Sequence, residues 1–544
     1  MSMRRKIKRR SHPSSVSPPP ALQHNREQAR KLYLEGRFSE ALVVANQVLA
    51  TSSPDVHLLN LTAVCHLQLG NAQQAISCWQ QAIAIQPDFA EAHYNLGNHL
   101  HQRKHYDAAE TAYRQAITHQ PHHCDAIHNL GNLLKECHRY DEAEAAYRHV
   151  LTLKPNAVDT RNNLGNLLKE RKRYAEAEAT YRQVLHLRRD HTEAHYNLGN
   201  LLSALKRFAE AEAAYKQALH FRPDFADARL NLGLLLLSQG RFQEGWPLHE
   251  ARQSPDCEGC NVHPIHAPFP MWQGEPLTGK SLLMVSEQGF GDQIQFCRYT
   301  ALLRAKGVHK LTILCSAPLK TLFASLDGVD QVLAQGATDP WPPHDFWVFY
   351  LSIPHHLGTT FETIPAQIPY LRAAPKRRIY WQNLLPQAKL RVGLVWKGRP
   401  TNKNDPHRSL PSLKTLAPLW SVPGITFISL QKGNGEEEAQ NPPSDLPILP
   451  LGASLQDFAD TAAVVSHLDL VISIDSAVAH LAGALGKPCW ILIAAAGTDW
   501  RWMHDRCDSP WYPGVVRLFR QTTPDHWSDV VQHMVAALQR WMPD

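Results

Sequence analysis

Residues 192–225, TEAHYNLGNLLSALKRFAEAEAAYKQALHFRPDF, decide the first half of the fold, because their pattern returns every 34 residues. Gly97, Gly131, Gly165, Gly199 and Gly233 share that period, each preceded by Asn-Leu. Ala41, Ala75, Ala109, Ala143, Ala177 and Ala211 form a second ladder in the same register. An aromatic stands three residues before most of these alanines, as Phe38, Tyr106, Tyr140, Tyr174 and Phe208, and Pro87, Pro121, Pro155 and Pro223 close most units. Small residues let two antiparallel helices approach closely, and the aromatic is expected to fill the space between consecutive hairpins. Proline stops the second helix, because it lacks an N–H and collides with the preceding turn.

This pattern resembles the tetratricopeptide repeat. Ala29 and Ala63 take the glycine position in two earlier units, so about seven units are expected between residues 26 and 255. The resemblance implies an α-solenoid with a continuous core and a long concave groove. Asn95, Asn129, Asn163, Asn197 and Asn231 recur at one helical position and should line one wall. The segment YNLGNLL is similar to repeats of the O-GlcNAc transferase type, in which such a ladder grips the backbone of an extended peptide. An amide carries both donors and an acceptor, so it holds a backbone without reading its sequence. The five asparagines are therefore candidate peptide-binding residues. In the other reading they bond neighbouring turns and only stabilise the solenoid.

After Lys280 the helical period gives way to alternating apolar runs and amphipathic stretches, the signature of α/β layers. SLLMVS (281–286) reads as a buried strand, followed by EQGFGD and a helix from about Gln293 to Ala305. LTILC and DFWVFY are further strands. Proline-rich sequence between Pro365 and Pro375 leads to a second series: RVGLVW (391–396), ITFISL (425–430), LDLVIS (468–473) and CWILIA (489–494). Short, wholly apolar strands are what a parallel sheet covered on both faces requires. Two such Rossmann-like lobes with a cleft between them follow the GT-B plan.

Ligands of open parallel sheets bind beyond the carboxyl ends of the strands. Those ends carry Gln288, Gly289, Gly291 and Asp292 in the first lobe, and Lys397, Gln431, Lys432, Asp475 and Ser476 in the second. In ISIDSAVAHLAGALGKP (472–488) a strand runs into Asp475-Ser476 and then a helix of small residues, whose start presents free N–H groups to a diphosphate. Together with the Gly-Asp loop, this segment resembles the heptosyltransferase-like glycosyltransferase family nine over roughly Leu282 to Phe519. The resemblance implies inverting transfer from a nucleotide sugar. Asp292 then matches the general base. Lys397, Asp475, Ser476, Ala477, His480 and Gly291 match the binding site of the donor diphosphate. No Asp-x-Asp pair sits in a plausible metal position, so no metal and no cofactor beyond the nucleotide-sugar co-substrate are expected.

Each residue has a plainer reading. Asp292 caps a helix starting at Gln293, His480 is a packed helix histidine, and Lys397 is a solvated rim lysine. Arg408-Ser409 is a weaker phosphate candidate. Trp500, Trp502 and Trp511 either stack on a base or sugar or form the seam between lobes, and the seam is favoured.

The expected divisions are a disordered basic tail (1–25), the repeat superhelix (26–255), a linker (256–280), and GT-B lobes at 281–385 and 386–544. In the linker, Cys257, Cys260, His263 and His266 have zinc-ligand chemistry, yet ten residues leave little chain to wrap a tetrahedron. The net charge over 544 residues is +6, and MSMRRKIKRR alone supplies six Lys and Arg, so the body is near neutral and not built to track nucleic acid. No apolar run is long enough to span a bilayer. Ten scattered cysteines fit a reducing cytoplasm. The combined expectation is a glycosyltransferase whose arm holds a protein or peptide acceptor. The alternatives are a glycan or lipid-linked acceptor, or a repeat scaffold that binds a nucleotide sugar without turnover.

Overall fold

The structure is a computed structural model that describes residues 20–51, 55–258, 262, 265, 267–336, 341–402 and 404–541. The start of the basic tail, Cys260, His263 and His266 lie outside the described residues. By packing, the chain divides into two compact units, Met1–Asn197 and Leu198–Asp544. That division falls inside the repeat array and not after residue 255, where the 34-residue period runs out. No helix among the described residues is long and apolar enough to cross a membrane.

In the first unit ten helices pair as antiparallel hairpins, from Pro20–Leu34 with Phe38–Thr51 to Val158–Glu170 with Tyr174–Leu187. The repeated glycine is where the two helices of a hairpin touch. A Cβ on Gly131 would stand 2.7 Å from Tyr147 Cε1, and one on Gly165 2.6 Å from Tyr181 Cε1. The aromatics that fill the core are therefore Tyr113, Tyr147 and Tyr181 on the second helices, at 1%, 0% and 0% exposure. Tyr106, Tyr140 and Tyr174, expected in that role, are only half-buried. They stand at the start of the second helix, one turn short of the alanine that faces the core.

Each buried tyrosine also fixes an amide. Tyr113, Tyr147 and Tyr181 donate to the Oδ1 atoms of Asn98, Asn132 and Asn166 at 2.9, 2.7 and 2.6 Å. The asparagine ladder joins this network. Asn95 Nδ2 donates to Asn60 Oδ1 at 2.9 Å, Asn129 to Asn98 at 2.8 Å, Asn163 to Asn132 at 2.9 Å, and Asn197 to Asn162 at 3.2 Å. In the second unit Asn231 donates to Asn200 at 2.9 Å. All five asparagines thus bond a neighbouring repeat, as in the solenoid-stabilising reading.

The second unit opens with the helices Phe208–Phe221, Ala226–Ser238 and Phe242–His249 and continues into two wholly parallel sheets. The first holds β1 (Ser281–Val285), β2 (Lys310–Cys315), β3 (Gln331–Ala334) and β4 (Phe346–Phe349), in the order β3-β2-β1-β4. The second holds β5 (Leu390–Val395), β6 (Ile425–Ser429), β7 (Leu449–Pro450), β8 (Leu470–Ile474), β9 (Cys489–Ile493) and β10 (Val516–Arg520), in the order β10-β9-β8-β5-β6-β7. Two Rossmann-like sheets in tandem make the GT-B architecture. The helix expected from Gln293 begins instead at Phe290, and a tight turn at Cys297–Tyr299 divides it into Phe290–Phe296 and Thr300–Ala305.

One apolar core runs through both lobes and takes in Leu237, Phe242 and Trp246 of the last hairpin. Trp246 Nε1 donates to Thr359 O at 2.9 Å, and its ring meets Trp500 edge-on at 5.3 Å. His504 stacks on Phe208 at 4.3 Å and bonds Ser238 Oγ at 3.1 Å. Burial holds the His504 imidazole down to about 4. The last repeats are thus built into the same body as the lobes.

Two outcomes follow from this packing. Gly131→Ala, which forces a methyl into the Tyr147 ring, should destabilise the first unit by about 1–3 kcal/mol, read from urea unfolding; an unchanged midpoint would refute the contact. A neutral buried histidine contributes stability above its unfolded value near 6.5 and loses it as pH falls toward 4. Between pH 7 and 5 the wild type should therefore lose more unfolding free energy than His504→Gln, and equal losses would contradict this account.

Candidate functional site

In each sheet the strand order reverses once, and the reversal marks where a ligand crevice opens. The first sheet reverses between β1 and β4, the second between β5 and β8. The residues just beyond those four strands are Ser286–Asp292, Tyr350–Ser352, Trp396–Arg408 and Asp475–Ser476. The candidate residues of both lobes therefore sit at switch points, and one helix contact brings the two sets together. The helix Phe290–Phe296 packs on Ala477–Ala484, and a Cβ on Gly291 would stand 2.9 Å from His480 Cδ2 and 3.7 Å from the Ala477 Cα. At Gly291, one of the residues expected at the diphosphate, the missing side chain lets the two helices meet.

Asp292 lies in the first turn of its helix, whose N-cap is Gly289, so the expected cap role at Gln293 does not hold. Its carboxylate is ion-paired with Arg501, which reaches over from the other lobe. Desolvation pushes the Asp292 carboxyl above the ordinary carboxylate range, against the pull of Arg501. Arg501 also binds Asp499 through Nη1, at 2.9 and 2.8 Å to its two oxygens. Sequence reasoning passed over Arg501; its one signal was an arginine between two tryptophans in a stretch dense in opposite charge.

Beyond β8, the residues expected at the donor surround the start of the helix Ala477–Ala484. Ser476 caps the helix Ala477–Ala484 by accepting from the Ala479 N–H at 3.3 Å, and its hydroxyl pairs with Ser473 Oγ at 2.8 Å. Ala477 is half-exposed at the helix start. Burial, with Asp499 nearby, pushes the Asp475 carboxyl up to about 6. A carboxyl group does not attract a diphosphate, so the groups suited to one here are the helix N–H donors and Arg408. Arg408 Nη1 donates to Asp475 O at 3.2 Å.

His480 is packed: Nδ1 bonds the Tyr512 hydroxyl at 2.8 Å, and its ring stacks on Trp502 at 5.1 Å. Burial holds it well below the usual histidine range, so it stays neutral. Trp500, Trp502 and Trp511 are all buried and form the seam, not a stacking platform. Lys397 is not a freely solvated rim residue, because its Nζ pairs with Glu438 at 2.7 Å. It borders a recess of about 400 Å³ with Asp405, Ser409, Asn434 and Trp527. Gln431 orders that rim by accepting from the Trp396 and Lys397 N–H groups at 3.0 Å each.

A second charged cluster left no trace in the sequence pattern. Arg252, just past the last hairpin, is 1% exposed and grips both oxygens of buried Glu287 at 3.1 Å. It also bonds Ser352 Oγ at 2.7 Å and Glu250 at 2.5 Å. Glu287 in turn accepts from the Leu351 N–H at 2.9 Å. The cluster ties the end of the repeats to the loops after β1 and β4. Of the linker cysteines and histidines only Cys257 is described, and it is disulfide-bonded, which the reading of reduced cysteines did not foresee.

Family models for the tetratricopeptide repeat match residues 66–103, 90–123, 128–192, 162–224 and 196–245. The model for glycosyltransferase family 9 (heptosyltransferase) matches residues 425–494, from β6 through β9, and so covers Asp475 and His480. The chain therefore joins tetratricopeptide repeats to a glycosyltransferase family 9 domain in its C-terminal part. It is 29% identical over 324 residues to Protein FlbA of Caulobacter vibrioides, covering 54% of this chain and 52% of that protein. It is 33% identical over 70 residues to rhomboid protease GluP of Bacillus subtilis, 13% of this chain and 14% of that one. The chain thus spans about half the length of the first relative and less of the second. Among solved structures, Pseudomonas aeruginosa pilF is 23% identical, with 36% of this chain and 90% of that chain covered and a TM-score of 0.33. A tetratricopeptide repeat protein of Parabacteroides merdae is 16% identical, with 44% and 94% covered and a TM-score of 0.37.

Removing one partner of the buried Arg252–Glu287 pair leaves the other charge stranded. Arg252→Met should cost the second unit about 3–5 kcal/mol in urea unfolding, and Arg252→Met with Glu287→Leu should regain most of it. A double variant no better than the single one would show that the pair is not the source of the loss.

Proposed function

We propose that the protein transfers a sugar from a nucleotide-sugar donor to a polypeptide acceptor held by its repeats, inverting the anomeric carbon and using no metal. The observation that carries this reading is the meeting of switch points, in which Gly291, next to Asp292, lies against Ala477 and His480 of the other lobe. The family 9 match over residues 425–494 supports the same reaction class. Asp292 takes the proton of the acceptor hydroxyl as its oxygen attacks the anomeric carbon. The bond from that carbon to the phosphate oxygen breaks on the opposite face, and the nucleotide leaves with the electron pair. Charge growing on that phosphate meets Lys397, Arg408 and the N–H groups at the start of the helix Ala477–Ala484.

An α-solenoid presents an extended surface of the kind a polypeptide segment fits. The five ladder asparagines enter this proposal as the frame that shapes that surface, since each spends an N–H on a neighbouring repeat. The free cysteines 65, 78, 124, 137, 297, 315, 489 and 507 suit a reducing compartment such as the cytoplasm, with Cys257 as the exception.

The test is nucleotide release from a panel of nucleotide sugars, with and without candidate polypeptides and a chelator. Turnover should persist in the chelator. Asp292→Asn should lower it by a factor of about 10²–10⁴ while nucleotide binding remains, and Lys397→Ala should weaken donor binding. Full turnover in Asp292→Asn would remove Asp292 from the role of base.

A further inference from the structure

Arg501 is 4% exposed and has two acidic partners on opposite sides of the seam. Asp499 meets Nη1 with both carboxylate oxygens, at 2.9 and 2.8 Å, which leaves Nη2 for Oδ1 of Asp292. The planar guanidinium divides its donors between two fixed directions, which a lysine ammonium does not do. Asp499 thus holds the arginine, and the arginine holds Asp292.

The arginine is itself held from behind. Its guanidinium lies 4.6 Å from the centre of the Trp500 ring and 5.4 Å from that of Phe296. Trp500 is wedged against Trp246 at 5.3 Å and Phe242 at 6.3 Å, both on the last repeat hairpin. The turn Trp500–Trp502 ends at Met503, whose φ of 54° is a left-handed conformation that a non-glycine residue keeps only when its surroundings impose it.

Around Asp292 the other ionisable groups are unhelpful to a carboxylate. Asp499 is acidic, and His480, packed against Gly291, is neutral. We infer that Arg501 is the positioning residue of this site: it fixes the rotamer of Asp292 across the seam and keeps that carboxyl ionised for proton transfer. The last repeat hairpin sets Arg501 through Trp500. This inference rests on the reading of Asp292 as the general base. Without Arg501, Asp292 would face Asp499 in a desolvated seam and take up the proton it has to remove.

The experiment needs no donor, so its failure is separate from failure of the transferase reading, which Asp292→Asn tests by turnover. Carboxyl groups are labelled with a carbodiimide and glycinamide at stepped pH and read by mass spectrometry. The tryptic peptide 281–298, SLLMVSEQGFGDQIQFCR, carries two side-chain carboxyls, Glu287 and Asp292. In Arg501→Gln the labelling midpoint of Asp292 should rise by about 1–3 pH units, and Glu287, gripped by Arg252, should stay protected. Arg501→Lys keeps the charge without the fork and should raise the midpoint by less. An Asp292 midpoint unmoved in Arg501→Gln overturns the inference. If Glu287 also becomes labelled in that variant, the unit has loosened and Arg501→Lys decides: a raised midpoint with Glu287 protected supports the inference, and an unmoved one overturns it.

Discussion

The second unit depends on one close approach, that of the helix Phe290–Phe296 to the helix Ala477–Ala484. It is possible because Gly291 has no side chain where His480 stands, and because the second helix is built from small residues. Every other feature of the seam follows from it. The carboxyl ends of two separate sheets come to face each other, Asp292 comes within reach of Arg501, and His480 is trapped neutral between Tyr512 and Trp502. A methyl group at position 291 would press into the imidazole and push the two switch points apart.

A buried seam of this kind concentrates charge, and the fold deals with it by pairing. Arg501 is shared by Asp292 and Asp499, Arg252 by Glu287 and Glu250, and Arg298 donates to the Trp511 carbonyl at 2.6 Å and the Tyr370 hydroxyl at 2.9 Å. Buried pairs are weak contributors to net stability but costly to break singly, so they fix geometry more than they raise stability. Arg298 and Arg501 tie one lobe to the other. Arg252 ties the repeats to the loop that leads into the helix of Asp292. The last hairpin is therefore a wall of the second unit, not a flexible tether to it.

The repeat array uses neutral groups for the same purpose. In the first unit, tyrosine hydroxyls and asparagine amides form a relay from Tyr113 to Asn98 to Asn129, and again from Tyr147 to Asn132 to Asn163. The tyrosine link closes one hairpin and the amide link joins it to the next, so these asparagines act as mortar between repeats. Unpaired amides at half-buried positions would be expensive, which explains why both asparagine ladders run in step with the tyrosines.

The sequence by itself determined what is periodic or local. The 34-residue ladders located the repeats, the short apolar runs located β1, β2, β4, β5, β6, β8 and β9, and Asp475-Ser476 with its small-residue helix located the second switch point. Those signals are legible because each residue's burial is dictated by neighbours a few positions away in the chain. Tertiary structure decided what depends on partners hundreds of residues apart. Arg501 meets Asp292 across 209 positions, Arg252 meets Ser352 across 100, and Trp246 meets Thr359 across 113. The packing partners of Gly291, His480 and the asparagine ladder belong to the same class. A glycine, a histidine or an amide suits a ligand contact or a packing role, and only the neighbour that fills the space beside it says which one it plays.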